Sequence, residues 1–190
     1  MHDRRFNPEH MAKLESPERK AAVPPELLLD KLALSNSSTV LDLGAGTGYF
    51  AIPAAARTNG TVYALDIEPQ MLEVIRKRAD ERQLPNVRTI KGEFEQIPLE
   101  NESVDRVIAS LVLHEAEPLH QVLTEINRVL HEGGLCLCVE WEKKVTDQGP
   151  PLHHRIDSEE MKRLFEELGF AILEIDHRAN AQYVLIVQKR

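Results

Sequence analysis

The sequence predicts a doubly wound α/β domain, a mostly parallel sheet with helices on both faces and an antiparallel hairpin at its C-terminal end. Three observations predict it. Short β-branched apolar runs alternate with segments of helical apolar spacing. The first run, TVLDL (39–43), passes directly into a glycine-rich turn. The last two runs, FAILEI (170–175) and YVLIVQ (183–188), are joined by a link too short for a crossover, which suits an antiparallel pair.

Taken in order, TVLDL is the first strand and TVYAL (61–65) the second. In EPQMLEVIRKRADERQ (68–83), Met71, Leu72, Ile75 and Ala79 share one helical face. Glu68-Pro69 suits its start, because the fixed φ of proline fits a first turn. VRTI (87–90) is the third strand, and VDRVIASLVL (104–113) begins as a buried fourth. Pro118 opens a helix with Leu119, Val122, Leu123, Ile126, Val129 and Leu130 on one face, and Gly133-Gly134 is expected to cap its end. LCLCVEW (135–141) is the fifth strand. Ser158 is expected to cap a helix carrying Met161, Leu164, Phe165 and Leu168, which Gly169 ends.

Two segments fall outside the alternation: residues 1–35, with helical LLLDKLAL after Pro24-Pro25, and the loop 142–157. Ligands of open α/β sheets bind at the carboxyl ends of the strands, so both segments are expected to close over that end. The expected organisation is one domain over 1–190, with a helical N-terminal lid (1–35) and an α/β core (36–190).

Composition narrows the function. A formal net charge of −8 disfavours nucleic acid and anionic membranes as partners. No apolar run approaches the roughly 20 residues of a membrane span, so no membrane insertion is expected. MHDRRFNPEH lacks the apolar region of a secretory signal. Cys136 and Cys138 sit in an apolar run, on one face of a strand, and read as reduced core thiols. The expected location is cytoplasmic, and no resident metal is expected.

The turn in VLDLGAGTGYF (40–50) carries glycines at 44, 46 and 48, where a ligand could approach the main chain closely. Its spacing is G-x-G-x-G, unlike the G-x-G-x-x-G of a pyrophosphate-binding turn. The nearby Asp42 is awkward for a diphosphate but suits an ammonium group, as on an amino acid attached to a nucleoside. Asp66 closes the second strand, where a carboxylate can accept both ribose hydroxyls, and Ile67 offers an apolar face to a base. Asp66 could equally cap the helix that follows. Pro53 requires that helix after the glycine turn to begin no earlier than Thr47 or Gly48.

On VLDLGAGTGYF, VYALDIEPQML, GEFEQIPLENESVDRVIAS, VLHE and EINRVLHEGGLCLCVEW, the chain resembles the class I S-adenosylmethionine-dependent methyltransferases, specifically the UbiE-like group. The resemblance runs from about Val40 to Trp141. It implies a Rossmann-like sheet of order 3-2-1-4-5-7-6 with strand seven antiparallel, and S-adenosyl-L-methionine as cofactor. It further implies that Asp42, Gly44, Ala45 and Gly46 surround the methionine moiety, while Gly48 permits tight helix entry. Asp66 would hold the ribose, Ile67 and Met71 would pack on adenine, Glu93 would face the adenine amino group with Phe94 supplying backbone contacts, and Ser110 and Leu111 would lie under the cofactor. Glu93 stands where aspartate is commoner.

His114 follows the fourth strand on the side expected to be catalytic, and is the first candidate for a general base, with Glu140 and His153 next. Arg155 or a loop histidine could clamp an anionic group on the substrate. The expected reaction is in-line methyl transfer to a small-molecule acceptor. The lid segments would shape its pocket, alone or with a second copy of the chain as a homodimer. The alternatives are a sensor that binds the cofactor without turnover and an NAD-linked oxidoreductase, which the glycine spacing and Asp42 disfavour.

Overall fold

The computed structural model describes residues 16–190. Residues 1–15 of the expected N-terminal lid lie outside the described residues. Seven strands form one sheet: β1 (Val40–Leu43), β2 (Val62–Asp66), β3 (Val87–Lys91), β4 (Val104–Ser110), β5 (Leu130–Trp141), β6 (Phe170–His177) and β7 (Gln182–Lys189). Their order is β3-β2-β1-β4-β5-β7-β6. The pairs β1–β2, β1–β4, β2–β3 and β4–β5 are parallel, whereas β7 runs antiparallel to both β5 and β6. This is the predicted Rossmann-like topology.

The helices are α1 (Pro17–Ala22), α2 (Pro25–Lys31), α3 (Ala51–Ala55), α4 (Pro69–Glu81), α5 (Leu119–Val129) and α6 (Ser158–Glu167). Successive strand residues point to opposite faces, so the sheet separates two cores. On one face Leu41, Leu43, Val107, Cys136 and Cys138 pack with Val122, Ile126, Met161 and Phe165 of α5 and α6. On the other, Val40, Ala64, Ile108 and Val139 pack with Leu28 and Leu29 of α2, with α3, and with Leu72 and Ile75 of α4. The two cysteines are free, buried and on one face, as their spacing predicts. Among the described residues no helix is long and apolar enough to cross a membrane.

Two boundaries differ from expectation. The helix α5 ends at Val129, and Gly133-Gly134 lie inside β5 rather than capping the helix. Val104 pairs with Leu130 but Arg106 pairs with Leu135, so residues 131–134 bulge from the ladder. A Cβ on Gly134 would lie 2.8 Å from the His131 carbonyl oxygen and 3.0 Å from that of Asp105, which excludes larger residues there. For α6, the cap is Asp157, whose carboxylate accepts from the Glu159 N–H, and Ser158 is the first helical residue. The helix after the glycine turn starts at Ala51, consistent with the limit set by Pro53.

Candidate functional site

A cavity of about 1140 Å³ opens at the carboxyl ends of the parallel strands. The turn after β1 forms one wall. Gly44 has φ 64° and Gly48 φ 83°, a region costly for other residues. A Cβ on Gly44 would lie 2.4 Å from Val112 Cγ2, and one on Gly48 would press on Ile52 and Ile75 at 3.0 and 3.2 Å. The turn is tied to β2 by two bonds: Ala45 N–H donates to the Leu65 carbonyl at 2.9 Å, and Gly46 N–H to Asp66 Oδ2 at 2.7 Å.

Asp66 Oδ1 accepts from the Glu68 N–H at 2.9 Å, so this carboxylate holds both the glycine turn and the entry to α4. Asp66 therefore binds the N–H of Glu68, the residue before α4, and also lines the cavity, while the N-cap position itself is Glu68. Burial raises the Asp66 pKa, partly offset by these backbone donors.

Asp42 lies buried behind the glycine turn rather than on the cavity wall. Burial pushes its pKa up to about 7, against the lowering effects of the Ala51 N–H and the Arg19 charge. Its Oδ2 has no hydrogen-bond partner, and neither does the buried Ser110 Oγ on the wall. Leu111, next along, sits at φ 57° and donates its N–H to the Val139 carbonyl at 2.8 Å. A branched residue in that region is strained, and strain of this kind concentrates at functional sites.

The other sequence-predicted positions divide clearly. Gly44, Ala45, Gly46, Asp66, Ile67, Met71, Phe94, Ser110, Leu111 and His114 all line the cavity. Glu93 is exposed and off the wall, because β3 has already ended and its side chain leaves toward solvent while Phe94 turns in. Gly48 faces Ile52 and Ile75, a packing position.

His114 lies in the short 3₁₀ turn Leu113–Glu115 and is buried. Its Nδ1 is 3.1 and 3.0 Å from the two carboxylate oxygens of Glu140, and its N–H donates to Oε1 at 3.2 Å. Glu140 Oε2 also accepts from the Trp141 N–H at 3.1 Å. Burial lowers the His114 pKa, but the charge and hydrogen bond of Glu140, with Glu115 adding to them, raise it on balance. Glu140 is fully buried and off the cavity wall, so its carboxylate orients His114 instead of meeting a ligand.

Two candidates are corrected. His153 is exposed and off the wall; the 3₁₀ turn Leu152–His154 turns the next residue, His154, inward, with the two rings edge-on at 4.2 Å. Arg155 is not available as an anion clamp. Its guanidinium donates to the carbonyls of Pro150, Lys144 and Gln148 at 2.8, 2.6 and 2.5 Å and lies 5.2 Å from the Trp141 ring centroid. It fastens the loop 142–157, whose residues Gln148–Pro151 and His154 cover the cavity. From the other outlying segment, Ser16, Arg19, Ala21 and Ala22 reach the wall, whereas Leu28, Leu29 and Leu32 belong to the core.

Residues 178–180 and Gln182 also line the cavity and were not singled out from sequence. Because β6 runs parallel to β5, the β6–β7 turn returns to the carboxyl-end rim. The sequence signal was available in the hairpin and the carboxyl-end rule taken together. Among the described residues no group of three or more His, Cys, Asp or Glu side chains is arranged to hold a metal ion.

The glycine turn, the Asp66 carboxylate, the apolar Ile67, Met71 and Phe94, and the unpartnered Asp42 and Ser110 oxygens fit a nucleoside that bears an amino-acid tail. Comparisons agree with that geometry. A family model described as a methyltransferase domain matches residues 34–169. The chain is 36% identical over 107 residues to an uncharacterized methyltransferase-like protein of Schizosaccharomyces pombe, covering 56% of this chain and 40% of that protein. It is 33% identical over 118 residues to the ubiquinone/menaquinone biosynthesis C-methyltransferase UbiE of Acidiphilium cryptum, covering 62% of this chain and 47% of that protein. The chain thus spans about half the length of these curated relatives or less. Among solved structures, an S-adenosylmethionine-dependent methyltransferase from Aquifex aeolicus superposes with a TM-score of 0.88 at 26% identity, covering 98% of this chain and 100% of that one.

Proposed function

Because the chain belongs to the methyltransferase-domain family, within the class I S-adenosylmethionine-dependent group, we propose that it methylates a small-molecule acceptor held in the same cavity as the cofactor. The observation that carries this reading is one cavity with two unlike ends. One end has the glycine turn and Asp66; the other has a buried, carboxylate-paired histidine.

The main chain of Gly44–Gly46 would hold the amino-acid tail, with Asp42 behind it, Asp66 would take the ribose, and Ile67, Met71 and Phe94 the base. When bound, S-adenosylmethionine supplies an electrophilic methyl on a sulfonium whose leaving group is a neutral thioether. What remains for the chain is orientation, exclusion of water and, for an acceptor with an acidic hydrogen, one proton transfer. His114 is arranged for that transfer. Glu140 holds its Nδ1–H, which leaves Nε2 as the basic nitrogen. The proton leaving the acceptor goes to Nε2, and Glu140 stabilises the imidazolium. The loop clipped by Arg155 and the helix α1 shield the cavity from water.

The name of the Acidiphilium relative supports a quinol-like ring among the acceptors to test. The assay is release of S-adenosylhomocysteine over phenol, quinol, thiol and amine acceptors, with calorimetry of cofactor binding alongside. We expect binding of S-adenosylhomocysteine, none of NAD, and turnover of at least one acceptor. Cofactor binding with no turnover across a broad panel would replace the enzyme reading with that of a sensor. His114→Ala is expected to lower turnover at least tenfold with cofactor affinity unchanged.

A further inference from the structure

We propose that the end of the cavity formed by the β6–β7 turn is an acceptor site for a small organic acid, with the Arg178 guanidinium taking its carboxylate. The proposal rests on the methyl-transfer reading above and names its substrate class.

The cavity is larger than one ligand needs: about 1140 Å³, against roughly 300–1,000 Å³ for a typical small-molecule site. The glycine turn, Asp66, Ile67, Met71 and Phe94 account for a nucleoside. His114, Trp141, His154, Arg178, Asn180 and Gln182 line the remainder. The turn that carries three of these is well fixed. Arg178 N–H donates to the Gln182 carbonyl at 2.7 Å, and Ala181 N–H to the Arg178 carbonyl at 3.2 Å.

Within this turn a buried donor and a buried acceptor lack partners. Asp176 Oδ2 accepts from one terminal nitrogen of Arg178 at 3.0 Å and fixes the guanidinium, but Arg178 Nε–H is buried and unbonded. Asn180 donates through Nδ2 to Gln182 Oε1 at 2.8 Å, which leaves its Oδ1 buried and unbonded. Buried polar groups are ordinarily satisfied, so cavity-lining residues that carry both kinds of vacancy point to a ligand that, after a small turn of these side chains, supplies both kinds of partner. A carboxylate accepts from a guanidinium in a planar fork, which an ester or a neutral ring cannot match. A neighbouring hydroxyl or thiol on the ligand supplies the donor for Asn180. Arg155 cannot substitute, because three backbone carbonyls occupy it.

Trp141 is the chain's single tryptophan and lines this end, so its indole N–H gives one unambiguous ¹H–¹⁵N signal. The protein saturated with S-adenosylhomocysteine would be titrated with salicylate, thiosalicylate and 3-mercaptopropionate, each beside its methyl ester. At least one free acid should shift the Trp141 signal saturably and bind at least tenfold more tightly than its ester. Arg178→Gln should abolish that preference, Arg178→Lys should retain part of it, and Asn180→Asp should abolish acid binding by placing a carboxylate in the turn. Affinity for S-adenosylhomocysteine should stay within twofold in all three. Esters that bind as well as every acid, or an acid preference that survives Arg178→Gln, would overturn the proposal. Calorimetry separates the two levels: a wild-type protein that does not bind S-adenosylhomocysteine defeats the methyl-transfer reading itself.

Discussion

Asp42 binds its proton more tightly in the folded chain than its ordinary value of 3.8 allows, holding it to about 7. Unfolding therefore releases a proton between those limits, and ligand-free stability falls as pH rises from about 4 to about 7. The full effect is on the order of 4 kcal/mol, since each pKa unit corresponds to about 1.4 kcal/mol. Asp42→Asn should thus melt higher than the parent at pH 8, with the gap closing toward pH 4, while binding S-adenosylhomocysteine more weakly. Melting curves across that range check both. His114 follows the same sign at higher pH. Its raised pKa adds stability below the ordinary 6.5 that is lost as pH climbs through the folded value. As a base it must be neutral, so the rate should rise with pH through a midpoint above 6.5. Glu140→Gln removes the charge that raises this midpoint and should move it to lower pH. That Gly44, Gly46, Asp66 and Ser110 line one cavity was readable because they sit at fixed offsets from strand ends. The neighbour of His153 was not, since a 3₁₀ turn reverses which of two adjacent histidines faces inward.

The strands and long helices were legible from apolar period alone, and α4 buries Met71, Leu72, Ile75 and Ala79 as that period requires. The bulge in β5 was not legible, because a Gly-Gly pair after an apolar helix has the same sequence signature as a helix cap. Only the pairing of Val104 and Arg106 across the sheet decides between them. The loop 142–157 is held mainly by Arg155, whose three carbonyl contacts cannot be inferred from residue type. Arg155→Ala should cost about 1–3 kcal/mol and speed amide hydrogen exchange across 144–151. Gly149, at φ 88° with its α-carbon against the Trp141 ring, is the loop's second anchor. A Cβ there would lie 2.8 Å from the indole, so Gly149→Ala should displace Trp141 and change its fluorescence.

For the molecule as a whole, a ligand that binds only the folded chain stabilises it by mass action. S-adenosylhomocysteine at a hundred times its Kd should add about 2.7 kcal/mol, or on the order of 5–10 °C in Tm for a chain of this size. NAD at the same concentration should add nothing. The central order β2-β1-β4 brings the glycine turn, Asp66 and Ser110 to one side of the rim, whereas β5, β7 and β6 bring Trp141, Gln182 and Arg178 to the other. The antiparallel insertion of β7 is what returns the last turn to that rim. Since that turn makes none of the bonds that fasten the glycine loop to β2, a hairpin of different sequence could be grafted at 178–181 and the first half of the chain would keep its shape. Diversification of such a scaffold is free to proceed at its last corner.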